Sequence, residues 1–181
     1  MILAAALALA GCGGGGHSTA RPAAFAWLHP SAAPGEWTAL RLPAGTATLV
    51  YPPGWRPITS DPGTVSAAAV GWHGLIVGYL NATPRQANES LSNWGSFRPT
   101  HNATEGDRSV RVLSAATGLR FATGRGSCVE DTYQTVRAHY REVACLVAGR
   151  HGQSVVVAAA TTAAWPRLHV QLHQAVEAFR T

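Results

Sequence analysis

Lysine is absent from this 181-residue chain, and all fourteen basic residues are arginine. Charge of either sign is scarce, at 13% of residues, whereas hydrophobic residues make up 46%. That balance excludes an intrinsically disordered chain, which needs high charge and little apolar content. No Cys-x-x-Cys pair occurs, which removes the usual basis for a thiol redox motif or a cysteine zinc site. No Gly-x-Ser-x-Gly elbow is available to expose a serine nucleophile. The glycine-rich piece at residues 124–128 lacks the lysine and helix start of a phosphate loop. Apart from residues 2–10, no apolar run approaches the length that crosses a bilayer as a helix.

The net charge of +5 and pI near 9.7 raise nucleic acid as a partner, but the distribution argues against it. The arginines are spread from Arg21 to Arg180 with no cluster that would make an electrostatic footprint. A diffuse positive charge suits weak attraction to anionic lipid heads better. The lysine-free, alanine- and arginine-rich composition is what a GC-rich genome produces, as in the actinobacteria.

What is present begins at the N-terminus. Residues 2–10 are uninterruptedly apolar and end in Leu9-Ala10-Gly11-Cys12, followed by four glycines. Nine apolar residues suit a signal-peptide core and are too few for a membrane span. The stretch resembles the signal peptide and lipobox of bacterial lipoproteins, in which a small residue precedes a cysteine that is lipidated and becomes the new N-terminus. The resemblance implies a signal peptide over residues 1–11, lipidation (palmitate) at Cys12 and anchoring to the extracytoplasmic face of the cell membrane. Such leaders carry a basic residue ahead of the apolar core. None precedes Ile2, so we expect the natural start to lie upstream. Residues 12–35, rich in Gly, Ala, Ser and Pro, read as a flexible linker. Phe25, Trp27 and Leu28 are unusual in a linker and suggest docking on the domain or a place at the lipid interface.

With Cys12 acylated, Cys128 and Cys145 remain as an even pair in a compartment where disulfides persist. Two strand-like stretches, 126–136 and 139–148, flank a turn. If they form a hairpin, opposed residues share the index sum 273, which pairs the cysteines and sets Tyr133 against Tyr140. The turn 135–138 lacks the Gly, Asn or Pro of the common hairpin types.

Residues 36–181 read as one domain. Strands are expected at 37–42, 46–51, 64–71, 75–81, 109–114, 119–122 and 154–161, besides the cysteine hairpin. Thr83 and Pro84 are expected to open a mid-chain helix reaching about Gly95, with residues 98–107 as loop. Thr161 or Thr162 caps a closing helix with Pro166 in its first turn. There Trp165, Leu168, Leu172, Ala175, Val176 and Phe179 form one apolar stripe. The expected fold class is α+β, an antiparallel sheet meander with a mid-chain helix and a C-terminal amphipathic helix packed on it. The turn Pro52-Pro53-Gly54-Trp55 after a strand, together with this closing helix, resembles the PsbP/Mog1-like fold and small exported lipoproteins of the LpqN type. That resemblance implies an accessory or binding role and maps no catalytic residue.

His169 and His173 stand at metal-ligating i, i+4 spacing, but the metalloprotease pattern needs a glutamate where Val170 stands. Both sit at the flank of the apolar stripe, on or near solvent. Glu130 and Asp131 are adjacent and point to opposite faces of a strand, so they are no acid–base pair. No metal, cofactor or catalytic residue is expected. Trp55, Trp72 and Trp94 are the candidates for a ligand or contact surface. The reading is an exported, membrane-anchored lipoprotein of the cell envelope, a non-catalytic accessory protein binding an envelope protein or an apolar ligand, and no nucleic acid. The alternative is an envelope hydrolase or metal-dependent enzyme using His101, His169 or His173.

Overall fold

The computed structural model describes residues 23–181. The leader and Cys12 lie outside the described residues. Nine strands and two α-helices follow in the order β1 (Thr38–Arg41), β2 (Thr48–Tyr51), β3 (Arg56–Ile58), β4 (Val65–Val70), β5 (Ile76–Pro84), α1 (Trp94–Thr104), β6 (Arg108–Arg120), β7 (Gly124–Gln134), β8 (His139–Gly149), β9 (Gly152–Thr161) and α2 (Trp165–Glu177). β1 and β2 form a separate hairpin, and the other seven strands form one antiparallel sheet in the order β3-β4-β5-β9-β8-β7-β6. The class is α+β, as expected.

Each face of the sheet has its own core. β8 and β9 are central and covered on both sides, so their sequences read as continuous apolar runs rather than alternating ones. Val156 and Ala158 join Leu168, Leu172 and Val176 of α2, and Phe179 just past its end, on one face. Val155 and Val157 join Trp94 of α1 on the other. The stripe foreseen on the closing helix is the buried face of α2.

The β7–β8 hairpin has the register of the index sum. Cys128 pairs with Cys145 and Tyr133 with Tyr140. The two sulfurs are bonded, across Cα atoms 4.1 Å apart, and the two tyrosine rings stack at 5.6 Å. The turn manages without glycine because Thr135 organises it. Its Oγ1 accepts from the backbone N–H groups of Arg137 and Ala138, both at 3.1 Å. Neither Val136 nor Arg137 takes a positive φ, so the turn is not of the primed types. Replacing both cysteines by alanine should lower the unfolding free energy by about 3 kcal/mol, the chain-entropy value for a loop of this length. Urea unfolding checks this, and a loss well under 1 kcal/mol would show that the hairpin is closed without the bridge.

Three expectations need correction. The mid-chain helix is α1, at residues 94–104, and not 83–95. Thr83 and Pro84 instead extend β5, opposite Val155 and Ser154. Residues 85–93 form a loop closed by Arg85 Nε donating to Glu89 O (2.6 Å) and Gln86 N donating to Glu89 Oε2 (2.8 Å). Pro99 and Asn102 give residues 98–107 the look of a loop, yet Trp94 and Arg98 tie α1 to the sheet strongly enough to override weak local propensity. The two strands expected around Gly118 are one, β6, which continues through an irregular register with Gly118 at φ +70°.

The third correction concerns the bounds of the linker, while the docking suggested for Phe25, Trp27 and Leu28 is what the structure shows. Phe25 and Leu28 are fully buried in the α2-side core, and Trp27 stacks on His173 with ring centroids 3.7 Å apart. His29 N donates to Glu177 Oε1 at 2.9 Å and Ser31 N to Glu177 O at 3.2 Å. The segment from residue 23 to 35 is therefore a strap docked along α2, and the folded unit starts well before residue 36. An apolar trio in an alanine- and proline-rich stretch loses more by exposure than its backbone loses in entropy by ordering.

Candidate functional site

α1 lies over β6, β7 and β8 and leaves the β3–β5 half of that sheet face uncovered. Trp94 anchors it, buried to 1% exposure and donating from Nε1 to Ala144 O at 2.9 Å. Along β5, alternation sends Tyr79, Asn81 and Thr83 to this uncovered face, while Leu80 and Ala82 enter the α2-side core. The result is a cleft of about 590 Å³ between α1, β5 and the loop after β3.

Its lining is polar. Tyr79 and Asn81 form the floor, Arg98 and His101 the α1 wall, and Ser60 and Asp61 the opposite wall. The floor is oriented from the neighbouring strand β4. Asn81 Nδ2 donates to Ser66 Oγ at 2.9 Å and Val65 O at 3.3 Å, and the Tyr79 and Ser66 hydroxyls lie 3.2 Å apart. Burial raises the Tyr79 phenol above its ordinary pKa, so it stays a neutral hydrogen-bonding group. His101 Nε2 lies 3.5 Å from Glu105 Oε1.

Beneath α1, next to the cleft, is a buried charged cluster. Glu142 on β8 and Asp131 on β7 are directly opposed, so both carboxyls share the α1 face. Arg98 grips Glu142 with two bonds, Nε to Oε1 at 2.7 Å and Nη2 to Oε2 at 2.9 Å. Burial works to lower the Arg98 pKa, but the Glu142 carboxylate outweighs it and holds the guanidinium charged. Asp131 is only 1% exposed, and neither of its oxygens has a hydrogen-bond partner among the described residues. Burial first, and then the charge of Glu142, push its carboxyl up to about 7. The index sum that pairs the cysteines also sets Asp131 against Glu142. The signal for this pair is therefore in the sequence, although the chain neighbours Glu130 and Asp131 are the more conspicuous acids.

The three tryptophans named from the sequence do not form one surface. Trp55 packs in the α2-side core over Gly78, where an added Cβ would come within 2.7 Å of the indole. Trp94 belongs to the opposite core, and Trp72 stands 83% exposed at the tip of the β4–β5 turn. The histidines are divided too. His101 faces the cleft, whereas His169 and His173 are on α2, across the sheet. His169 Nδ1 lies 3.2 Å from Trp165 O, the carbonyl one turn before it. His173, expected near solvent, is covered by Trp27. Burial, followed by His169 and Arg141, pushes it down to about 4, so it is neutral at physiological pH. Among the described residues no three His, Cys, Asp or Glu side chains are placed to hold a metal ion. No described helix is long and apolar enough to cross a membrane.

No protein family and no curated protein matches this sequence. Solved structures do. LpqN of Mycobacterium tuberculosis, described as involved in cell envelope biogenesis, is 14% identical over 80% of this chain and 89% of its own, with a TM-score of 0.43. A Pseudomonas aeruginosa protein of unknown function is 12% identical over 79% of this chain and 95% of its own, at 0.44. The cyanobacterial PsbP protein (CyanoP) of Synechocystis is 17% identical over 96% of this chain and 98% of its own, with a TM-score of 0.56. The strands, the two helices and their order thus make up a PsbP-like α+β fold, as the Pro-Gly-Trp turn and the closing helix led us to expect.

Proposed function

We propose that this chain is an exported lipoprotein, held at the membrane through Cys12, that binds a small polar ligand in the cleft between α1 and β5 as an accessory protein of the cell envelope. The observation that carries the reading is the cleft. It is a concave site of ligand-binding size, and half-buried hydrogen bonds preset its floor groups. The lining turns the expected ligand from apolar to polar, because the tryptophans that suggested an apolar pocket lie elsewhere. Tyr79, Asn81, Arg98 and His101 supply donors and acceptors of the kind that recognise hydroxyls and carboxylates. The leader, the lipobox and the disulfide support the export and the anchor.

Thermal unfolding of the Cys12→Ser chain with millimolar mono- and disaccharides, sugar acids and amino acids tests the site. A true ligand at a hundred times its Kd stabilises the protein by about 2.7 kcal/mol. The shift should vanish in Tyr79→Phe or His101→Leu. No shift with any of these compounds, or one that survives both substitutions, would sink the proposal. Cys12→Ser should also move the protein from the membrane to the soluble fraction of cells, and retention in the pellet would refute the anchor.

A further inference from the structure

Two large apolar side chains stand out as the most exposed among the described residues, Val136 at 96% and Trp72 at 83%. Both are at turn tips at the same end of the sheet. The β4–β5 turn precedes Ile76 and the β7–β8 turn precedes His139, and the two strand starts are linked where the Tyr140 hydroxyl donates to Ile76 O at 2.8 Å. Three strand spacings separate the turns, about 14 Å, so both tips can meet one plane.

Neither turn is loose. Gly71 N donates to Leu75 O at 2.8 Å and Leu75 N to Trp72 O at 3.2 Å. Between them His73 takes φ +54°, in the left-handed region that non-glycine residues adopt uncommonly. The indole stands outward, with His73 edge-on to it at 5.3 Å. Thr135 fixes the other tip from within. The residues beside the two apolar tips are His73, Arg137 and His139, with no acid in either turn. Glu105 and Asp107 lie at the same end but beside α1.

We propose that this end of the sheet is a membrane-contact surface, where Trp72 and Val136 enter the headgroup layer of an anionic bilayer and Arg137 meets lipid phosphate. A tryptophan with an apolar body and a polar N–H suits that interface, and so does a cation beside it. Arg137 is the full positive charge between the two tips, and the chain as a whole carries a net charge of +5. The contact need only be weak, because a second attachment to the same membrane acts at high effective concentration.

The test uses the mature chain, residues 12–181, as Cys12→Ser, so that neither the leader nor an acyl chain contributes, and flotation with vesicles. It should float with equimolar phosphatidylcholine and phosphatidylglycerol and much less with phosphatidylcholine alone. Trp72→Ser should lower the partition coefficient about tenfold and Val136→Ser about threefold. Arg137→Gln should reduce the preference for phosphatidylglycerol. Both tips are solvent-exposed, so these variants should melt within about 2 °C of the parent. Failure to float with the anionic vesicles would overturn the proposal. So would unchanged flotation of Trp72→Ser and Val136→Ser together, even if Trp72→Ser lost capture of an envelope protein. The cleft plays no part in this measurement, so its outcome is separate from that of ligand binding.

Discussion

Arg98→Met is expected to lower the unfolding free energy by about 3–5 kcal/mol, the loss typical of removing one partner from a buried ion pair. The guanidinium makes two bonds to a Glu142 side chain that is only 1% exposed. Without it Glu142 keeps its desolvation penalty and loses its counter-charge. Asp131, directly opposite, loses its nearest cation as well. The melting temperature should fall by roughly 10 °C for a domain of this size. Adding Glu142→Leu to Arg98→Met should recover much of the loss, because an apolar substitute for both members of a buried pair is often near neutral. A loss below 1 kcal/mol for Arg98→Met, or two losses that simply add, would mean that the cluster is solvated and that α1 is held by its apolar contacts, Trp94 and Phe97.

The second large effect has the opposite sign. Asp131→Asn should stabilise the protein relative to wild type as pH rises. The carboxyl is raised from an ordinary value of 3.8 to about 7, so the folded state holds its proton more tightly than the unfolded chain does. The associated stability is fully present below about pH 4 and is lost as the pH rises through 7. A proton held this tightly corresponds to a loss of up to about 4 kcal/mol over that window. The difference in stability between Asp131→Asn and wild type should therefore grow between pH 4 and pH 7 and then level off. Any fixed cost of burying an unpaired amide cancels from the slope. Denaturant unfolding at a series of pH values measures it, and a flat difference would show that Asp131 titrates normally.

Elements with a strong period or a pairing constraint were legible in the sequence, and the elements that tertiary contacts decide were not. The stripe on α2 is spaced at the helical period, and the β7–β8 register follows from two cysteines that must meet. α1 carries little apolar content, includes Pro99, and is held by Trp94 and by Arg98, whose partner Glu142 is 44 residues away. Nothing local announces such a contact. Pro84 reads equally well as the first residue of a helix or the last of a strand, and only the pairing with β9 decides between them. The cleft could not be inferred from residue types, because its lining consists of ordinary polar side chains that converge only once α1 has been placed. Tryptophan count was a poor guide, since Trp55 and Trp94 fill opposite cores and Trp72 fills neither.

Under the anchoring proposed at Cys12, the strap along α2 has a geometric consequence. Were residues 12–35 all free, the domain could wander as far as twenty-four residue steps allow, about 85 Å at full extension. Burying Phe25 leaves thirteen steps, about 45 Å. The shorter radius shrinks the volume searched by roughly sixfold, and under the proposed anchor encounters with anything else in the membrane become correspondingly more frequent. Trp27 on His173 and His29 on Glu177 thus act as a cleat that shortens the leash.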